Sequence, residues 1–318
     1  YKGLFMYDEI EFRNVKPVSI FDRKNKVKIE DFAAVYKEGD YFRKFYSSFP
    51  EILAGKEFRE LVERIVQAKQ KKKTIIFMIG AHVIKCGLSL ILIDLMKKGV
   101  ISCIAMNGAG AIHDLEIAYW GQTSEDVAEN LKNGTFGMAK ETAQKFNSIL
   151  EKGYKISSGF GEIFGKVFNE DNPAHKDYSI ISNAYVLKVP VTVHSAIGTE
   201  IVHQHPSANG EIIGKLTMKD FRIFARVLTG LNDGGVVLNI GSAVILPEVF
   251  LKALTLAKNL GYKIENFFTA NFDMIQHYRP NENVVKRPTL NSGKGYSFTG
   301  HHEIMIPLLA AGIIENLK

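Results

Sequence analysis

At 318 residues, with 46% hydrophobic and 23% charged residues, the chain has the composition of a globular protein with a substantial core. Its net charge of +6 is partly concentrated at 69–73 and 286–296, but no DNA- or RNA-binding motif accompanies these stretches, so we expect no nucleic-acid partner. The apolar runs are too short for a bilayer, so we expect no membrane partner. Cys86 and Cys103 lie in apolar segments, which is typical of a reducing cytoplasm.

The predicted elements begin with a region of mixed pattern and continue as a regular alternation. Residues 1–65 are rich in aromatic side chains and predict an N-terminal helical extension that packs on the main domain. From residue 66 onward, short apolar runs alternate with amphipathic helices. In chain order, the runs are strand 74–80, helix 83–99, strand 101–106, helix 123–134, strand 189–194, helix 217–231, strand 234–241, helix 246–261, strand 264–272 and helix 301–317.

This alternation of strands and helices predicts the fold class. Strands separated by helices form βαβ units, which build a parallel sheet covered on both faces. We therefore predict a Rossmann-like, doubly wound, mostly parallel α/β domain over residues 66–318. In such sheets ligands bind outside the carboxyl ends of the strands, so the residues that follow each strand carry the functional information.

Small and polar residues follow the predicted strands. Small residues allow a ligand to approach the backbone, and the helices that begin there favour an anionic group such as a pyrophosphate. The pattern favours a dinucleotide, although NGAGAIHD (107–114) lacks the third glycine of the usual fingerprint, and plain tight turns are the other interpretation. The residues at these ends are Gly80, Ala81, His82, Asn107, Gly108, Ala109, Gly110, His194, Ser195, Gly198, Gly241, Ser242, Ala243, Asp273, Gln276 and His277.

The histidines offer a rival interpretation. His203 and His205 are two residues apart, so on a strand they would share one face, and His194 lies nine residues upstream. Such a set could ligate a metal, but no carboxylate stands at the spacing of a zinc signature. Hydrogen-bonded histidines without a metal are the alternative, and we expect no metal as the leading interpretation.

A lysine in the polar loop QHYRPNENVVKRP (276–288) is a candidate nucleophile. Lys286 has Glu282 four residues before it. A buried lysine with a lowered pKa can form an imine, and a nearby acid can hold a cationic amine. A solvated loop lysine is the alternative interpretation.

The ordered motifs from residue 74 to the C-terminus resemble the deoxyhypusine synthase family. The resemblance is strongest in IGAHVIKCGLSLILIDLMKKGVISCIAMNGAGAIHDLEIAYWGQTSED (79–126), where the family has two strands and a TAGG turn. Later landmarks follow in the same order, at GGVVLNIGSAVILPEVF (234–250), in the strand ending NFFTANFD (266–273) and at YRPNENVVK (278–286). The resemblance implies a homotetramer that binds NAD, dehydrogenates spermidine and passes its aminobutyl group through a lysine imine. The acceptor it implies is a protein lysine or a small amine.

The resemblance also implies roles for single residues. Gly108, Ala109 and Gly110 would lie against NAD, as would Asp273, His301 and His302. Lys286 would form the imine, with Lys294 as the runner-up, and Glu282 would hold the polyamine. His113 and Asp114 stand where the family has consecutive glutamates, and His194, Gln276 and His277 fall where it has acids, so these five would face the substrate.

The departures from the family pattern favour an altered substrate. The family's substrate histidine corresponds to Leu246 and Pro247, and its asparagine after the first strand corresponds to His82. Each lost hydrogen-bond partner of a cationic amine weakens substrate binding by about 1.5–3 kcal/mol. The leading prediction is an NAD-dependent aminoalkyl transferase with altered substrate. The alternatives are a non-catalytic binding protein, or the same fold with a metal or another substrate in a site lined by His82, His113, His194, His203, His205, His301 and His302.

Overall fold

The computed structural model describes residues 7–317, and its internal contacts divide the chain into two units, with the division between Lys56 and Glu57. The first unit contains single 3₁₀ turns at Phe12–Asn14 and Ile29–Asp31 and the helix α1 (Phe42–Ser47). The next helix, α2 (Leu53–Gln70), runs through both the observed division and the predicted one at residue 65. Packing of the extension on the main domain stays a prediction.

The second unit alternates strands with helices. Its elements in chain order are β1 (Ile75–Ile79), α3 (His82–Lys85), α4 (Ser89–Lys97), β2 (Cys103–Asn107), α5 (Gly108–Trp120), α6 (Val127–Leu131), α7 (Lys140–Lys155), α8 (Phe160–Asp171), α9 (Ile180–Val186), β3 (Val191–His194), α10 (Gly210–Leu228), β4 (Val236–Ile240), α11 (Ile245–Asn259), β5 (Phe268–Asp273), α12 (Tyr278–Pro280), a π-helix (Asn281–Lys286), β6 (Lys294–Thr299) and α13 (His302–Asn316). Single 3₁₀ turns lie at Lys176–Tyr178, Ile201–Gln204, Thr229–Leu231 and Arg287–Thr289.

The six strands form one parallel sheet in the order β3-β2-β1-β4-β5-β6. The chain moves outward from β1 to β3 and then returns to the other side of β1 as β4, so the order reverses between β1 and β4. This is the doubly wound strand order in which ligands bind at the reversal, beyond the carboxyl ends of the strands. The predicted Rossmann-like α/β class is therefore confirmed.

Both faces of the sheet are covered, because right-handed crossovers running in opposite directions place their helices on opposite faces. On one face, α10 and α11 pack against the strands, with Phe224 and Phe250 beside Ile76 and Val237. The strands from β1 to β4 are almost wholly buried, which explains their continuous apolar sequences.

The structure adds elements that the sequence did not reveal. The sixth strand, β6, has three polar residues (Lys294, Ser297 and Thr299) and a glycine among six positions, so it carries no continuous apolar run. Helices α7, α8 and α9 fill the long interval before β3, which the predicted elements left without an assignment. None of the helices within residues 7–317 combines the length and apolarity that crossing a bilayer requires.

Candidate functional site

The carboxyl ends of β1 and β4 touch each other at the point where the strand order reverses. A Cβ atom on Gly80 would lie 2.2 Å from the carbonyl oxygen of Gly241, so only glycine allows the two backbones to approach this closely. Gly241 has φ +69°, and a Cβ atom there would lie 2.6 Å from Cε1 of His302. Backbone and imidazole therefore pack closely at the carboxyl ends of these two strands, and this reversal point is called the β1–β4 crevice.

His302 has an unusual position in this crevice. It begins α13, its side chain is buried, and its Nε2 lies 3.1 Å from the carbonyl oxygen of Phe272, to which it donates a hydrogen bond. Its other ring nitrogen, Nδ1, is buried without a hydrogen-bond partner in the described part of the chain. Because a buried polar atom is rarely left without a partner, this acceptor fits a ligand that brings a donor such as a hydroxyl or an amide.

Several predicted cofactor residues lie beside His302. The His82 ring lies 6.0 Å from the His302 ring, measured between centroids. His301 is exposed, with its Nδ1 3.8 Å from a Glu303 carboxylate oxygen, and Asp273 is buried at the end of β5. The fold thus places Gly80, His82 and His302 together, while Asp273 ends β5 and His301 follows β6 at the same edge of the sheet.

The end of β2 is closed by the chain itself. Asn107 caps α5 by accepting a hydrogen bond from the Gly110 amide at 3.0 Å. A Cβ atom on Gly108 would lie 2.5 Å from the carboxyl carbon of Glu200, so the space assigned to a ligand holds this side chain. Ala109, the remaining predicted residue, lines a cavity described below.

Glu200 is held firmly in that place. Its carboxylate accepts hydrogen bonds from Ser195 Oγ at 2.7 Å and from the Ala196 amide at 3.2 Å, and it lies 3.1 Å from His203 Nε2. A carboxylate beside the start of a helix already satisfies the positive end of the helix dipole. A pyrophosphate does not fit at Gly108 unless Glu200 leaves, whereas Gly80 and Gly241 lie against backbone atoms and the His302 ring.

Two predicted substrate residues have structural roles. Asp114 is fully buried and accepts hydrogen bonds from Ser179 Oγ at 2.5 Å and from the amides of Ile180 and Ile181 at 2.7 and 3.1 Å, so it caps α9. Burial raises the pKa of Asp114 to about 6, against the effect of these hydrogen bonds. Substrate binding by Asp114 does not fit this position.

His194 is also buried. Its Nε2 lies 3.0 Å from Thr192 Oγ1, and its ring packs edge-on against Phe224 at 5.4 Å between centroids. Burial lowers the pKa of His194 to about 3, so the ring is neutral. A neutral core histidine replaces the predicted substrate contact, because the side chain of the last β3 residue points into the α10 face.

The alternative metal site does not form. His203 contacts Glu200 and the Gly198 amide, His205 contacts Ser207, and His194 contacts Thr192. Among residues 7–317, no group of three or more His, Cys, Asp and Glu side chains could hold a metal ion. The His-x-His spacing does not create a shared face, because these residues lie on and just after a 3₁₀ turn and not on a strand.

The predicted imine lysines lie away from this crevice. Lys286 Nζ contacts Glu282 at 2.7 Å in the π-helix, and its side chain is 63% exposed. The hydrogen bond from Lys286 lowers the pKa of Glu282. Lys294 begins β6, at the opposite end of the sheet from the strand carboxyl ends, and pairs with Glu60 at 2.7 Å.

Two further predicted residues, Gln276 and His277, follow β5. Gln276 belongs to a chain of amides in which it accepts from Asn271 at 2.8 Å and donates to the Phe298 carbonyl at 3.0 Å. His277 precedes α12 and is exposed. Gln276 therefore ties β5 to β6, which leaves its amide engaged in the fold.

A cavity of about 300 Å³ lies beside α5, and His113 lines it. Ala109 and Ile112 of the same helix form part of its wall, together with residues that follow β1 and β3. Its charged lining consists of Lys85, His113, Glu116, Glu125 and Glu200. Three carboxylates against one lysine make the cavity acidic, so it suits a cation.

His113, Thr123 and Glu116 are connected by hydrogen bonds beside this cavity. His113 Nδ1 lies 2.6 Å from Thr123 Oγ1, and the Thr123 hydroxyl donates to a Glu116 carboxylate oxygen. The other Glu116 oxygen accepts from Thr142 at 2.9 Å. Burial raises the pKa of Glu116, but the His113 ring 3.7 Å away and the hydrogen bonds from Thr123 and Thr142 hold that pKa below its usual value.

Sequence reasoning identified His113 but missed three of its neighbours. Glu116 is three residues further along α5, on the same face as His113, and that spacing was the available signal. Thr123 and Glu200 come from loops, and no local pattern links them to α5. Thr123 was identified only as part of the cap of the predicted helix 123–134.

Comparison with known proteins gives support at the level of the fold. No family model matches the sequence, and no curated protein is similar to it. Unliganded AgrE is similar with a TM-score of 0.54 and 14% identity, over 83% of this chain and 34% of that chain. A conserved putative LOR/SDH protein from Methanococcus maripaludis S2 has a TM-score of 0.50 and 13% identity, over 83% and 71% of the two chains.

A putative deoxyhypusine synthase from Entamoeba histolytica is similar over a larger share of both chains. Its TM-score is 0.51 with 12% identity, and the similarity covers 90% of this chain and 97% of that one. This chain spans about a third of the length of ArgZ and AgrE, which belong to the same set of similar structures. One AgrE structure is a ternary complex with ornithine and NAD⁺. At these identities the similarity shows a shared α/β fold.

Proposed function

We propose that this chain is an NAD-dependent enzyme that acts on an aliphatic amine, with the dinucleotide in the crevice between β1 and β4. The observation that carries the proposal is the crevice itself, where Gly80 and Gly241 bring two strand ends together and His302 leaves a buried acceptor without a partner. This is the reversal point at which doubly wound sheets bind dinucleotides. The NAD⁺ complex of AgrE, which shares the fold, supports the choice of cofactor.

The acidic cavity beside α5 supports an amine as the substrate. Glu116, Glu125 and Glu200 outnumber Lys85 there, and charge-assisted hydrogen bonds to carboxylates are the strong contacts for an ammonium group. A volume of about 300 Å³ accommodates a small aliphatic molecule. Ornithine in the AgrE complex and spermidine in the resembled family are both aliphatic amines, and they are the natural first probes.

The chain's own residues would bind and orient such a substrate. When bound, NAD accepts a hydride from the carbon attached to the amine nitrogen. The carboxylates of the cavity would hold the second, cationic end of a diamine, while Ile112 and Ala109 would exclude water from the aliphatic part. His302 Nδ1 would accept a hydrogen bond from the dinucleotide.

The finer proposal is aminobutyl transfer through an imine on Lys286. The ordered motifs of the C-terminal three quarters of the sequence support it, and so does the fold shared with the putative deoxyhypusine synthase. For this chemistry the Lys286–Glu282 ion pair must open, since an ammonium ion held by a carboxylate is not a nucleophile. Assembly as a homotetramer, and a protein lysine as acceptor, belong to the same proposal.

Borohydride trapping tests the lysine step. Reduction during turnover with spermidine is expected to attach the aminobutyl group to Lys286, and Lys286→Ala is expected to abolish the adduct. Lys294→Ala serves as the matched control and is expected to keep it. An adduct that persists in Lys286→Ala rejects this assignment. If the wild-type protein forms NADH but no adduct, it is an amine dehydrogenase that does not transfer the aminobutyl group.

NADH titration tests the location of the dinucleotide. Ala243 and Ala109 are partly exposed alanines that follow β4 and β2, so glutamate at either position adds the same charge at a different strand end. We expect Ala243→Glu to weaken NADH binding about tenfold or more through repulsion of the pyrophosphate, and Ala109→Glu to change it little. The reverse order would place the dinucleotide at β2.

The same titration separates an enzyme from a binding protein. Wild-type protein that binds NADH but forms none from NAD⁺ with ornithine, putrescine or spermidine would be a binding protein for the cofactor. Protein that binds no NADH contradicts the proposed function outright.

A further inference from the structure

The hydrogen bonds around His113 determine which of its ring nitrogens carries a proton. The hydrogen bonds that Glu116 accepts lower its pKa, so its carboxylate is ionised and can only accept. The Thr123 hydroxyl therefore donates its single proton to Glu116, and its oxygen must accept from His113. His113 thus carries its proton on Nδ1, which lies 2.6 Å from Thr123 Oγ1.

The second ring nitrogen of His113 is then a basic lone pair. With the proton on Nδ1, Nε2 of a neutral imidazole is an acceptor. Within residues 7–317 no hydrogen bond to this atom is found, while the ring lines the cavity of about 300 Å³ beside α5. An imidazole that lines a cavity, with one nitrogen fixed by a hydroxyl–carboxylate pair and the other without a hydrogen bond in the described residues, is the arrangement of a general base.

We infer that His113 is the general base for the amine dehydrogenation, positioned through Thr123 by Glu116. This inference rests on the proposed function and adds the residue that takes the proton. The Thr123 and Glu116 side chains act through His113 and are positioning residues. Neither takes part in the resemblance to the deoxyhypusine synthases, which assigns other residues.

The proton and the electrons balance in this step. The C–H bond of the carbon next to the nitrogen breaks, and its electron pair leaves with the hydrogen as hydride to NAD⁺. One N–H bond of the neutral amine breaks, its proton moves to His113 Nε2, and its electrons form the C=N bond. The products are an imine, NADH and a His113 imidazolium whose Nδ1–H stays bonded to Thr123, so the Glu116 carboxylate stabilises the new charge.

Two threonines that bond to the same carboxylate provide a matched pair of variants. Thr123 and Thr142 both donate to Glu116, but only Thr123 also contacts His113. Thr123→Val therefore breaks the connection, Thr123→Ser restores the hydroxyl, and Thr142→Val removes one hydrogen bond from Glu116 while leaving His113 in place. A role of Thr123 in packing alone would make Thr123→Val and Thr142→Val alike.

Nitrogen-15 NMR of the histidine rings reads the tautomer directly and needs no substrate. We expect the Nδ1–H form for His113 in wild type, Thr123→Ser and Thr142→Val, and a mixture of forms in Thr123→Val. An Nε2–H ring in the wild type, or an unchanged tautomer in Thr123→Val, overturns the inference.

Turnover supplies the second readout, measured as NADH formation with ornithine, putrescine or spermidine. We expect His113→Asn to lower kcat by at least about 100-fold and Thr123→Val by a smaller factor that Thr123→Ser recovers, with the affinity for NADH unchanged in all three. If His113→Asn keeps the wild-type kcat, His113 is not the general base, and the proposed function is unaffected. If the wild-type protein neither binds NADH nor forms it, the proposed function is wrong, and the role of His113 in amine dehydrogenation is rejected as well.

Discussion

The ends of β2 and β4 carry similar glycines that have different neighbours. Gly108, after β2, lies against the carboxylate of Glu200, which the chain supplies from the loop after β3. Gly241, after β4, lies against His302, whose buried Nδ1 has no partner in the described residues. A glycine at a strand end shows that something approaches the backbone closely. Only the neighbour shows whether that is a ligand or the protein itself.

The two strand ends also differ in whether their polar groups have partners within the protein. At β2 the polar groups are satisfied internally, since Asn107 caps α5 and Ser195, Ala196 and His203 hold Glu200. At the β1–β4 crevice, the buried acceptor Nδ1 of His302 has no hydrogen-bond partner in the described residues. The first arrangement stabilises the fold, whereas the second is what a binding site for a ligand requires.

The largest effect is expected from adding one methyl group where β1 meets β4. In Gly80→Ala the new Cβ would lie 2.2 Å from the Gly241 carbonyl oxygen, and neither backbone can move without disturbing the sheet. We expect the free energy of unfolding to fall by about 3 kcal/mol, measured by urea denaturation, with loss of NADH binding.

Gly214→Ala is the matched control for this substitution. Gly214 lies inside α10 with open space around its Cβ position, so alanine there is expected to stabilise the protein by about 0.5–1 kcal/mol. Equal effects of the two substitutions would show that the close contact between β1 and β4 is absent in solution.

An effect of similar size is expected from the titration of Asp114, which ties α5 to α9. Burial raises its folded-state pKa from an ordinary 3.8 to about 6, so between these values the folded protein binds more protons than the unfolded chain. Its contribution to stability is complete below about pH 4 and is lost as the pH rises to about 6. The loss is about 3 kcal/mol, and Asp114→Asn is expected to remove this pH dependence from unfolding curves.

Asp171 gives a control of opposite sign. Burial raises the pKa of Asp171, but hydrogen bonds from Lys145 and Tyr119 lower it further, so the net pKa is below the ordinary value. The contribution of Asp171 to folding stability is therefore lost as the pH falls. Asp171→Asn is therefore expected to remove a pH dependence of the opposite sign, in which the free energy of unfolding rises with pH. If the two variants change the pH dependence in the same direction, Asp114 does not act as a buried cap.

The smallest effect concerns Gly108 and Glu200. In Gly108→Ala the new Cβ would lie 2.5 Å from the Glu200 carboxyl carbon, and a side chain can move away more easily than a backbone. We expect a loss of about 1–2 kcal/mol that shrinks in the Gly108→Ala/Glu200→Ala double variant, measured as a double-mutant cycle. Additive costs would show that Glu200 does not occupy this space.

Parts of the site were predictable because they lie next to strand ends. His82 follows β1 and Asp273 ends β5, and both strands were predicted, so the position of these two residues at one edge of the sheet follows from the strand pattern. His301 and His302 were identified through the resemblance alone, because the strand before them, β6, was not predicted. His113 was singled out from its place in NGAGAIHD. The roles of Asp114 and His194 were not predictable, because the sequence does not show that one caps α9 and the other faces α10.

The amino-acid sequence alone determined the α/β class and the edge of the sheet at which function is to be sought, because buried strands and amphipathic helices leave periodic local patterns. Only the tertiary structure decided that Gly108 faces Glu200 and that Gly241 faces His302, and only it joined Thr123 to His113. Those contacts depend on loops that return from distant positions, and the position of a loop is set by packing and hydrogen bonds that no local pattern encodes.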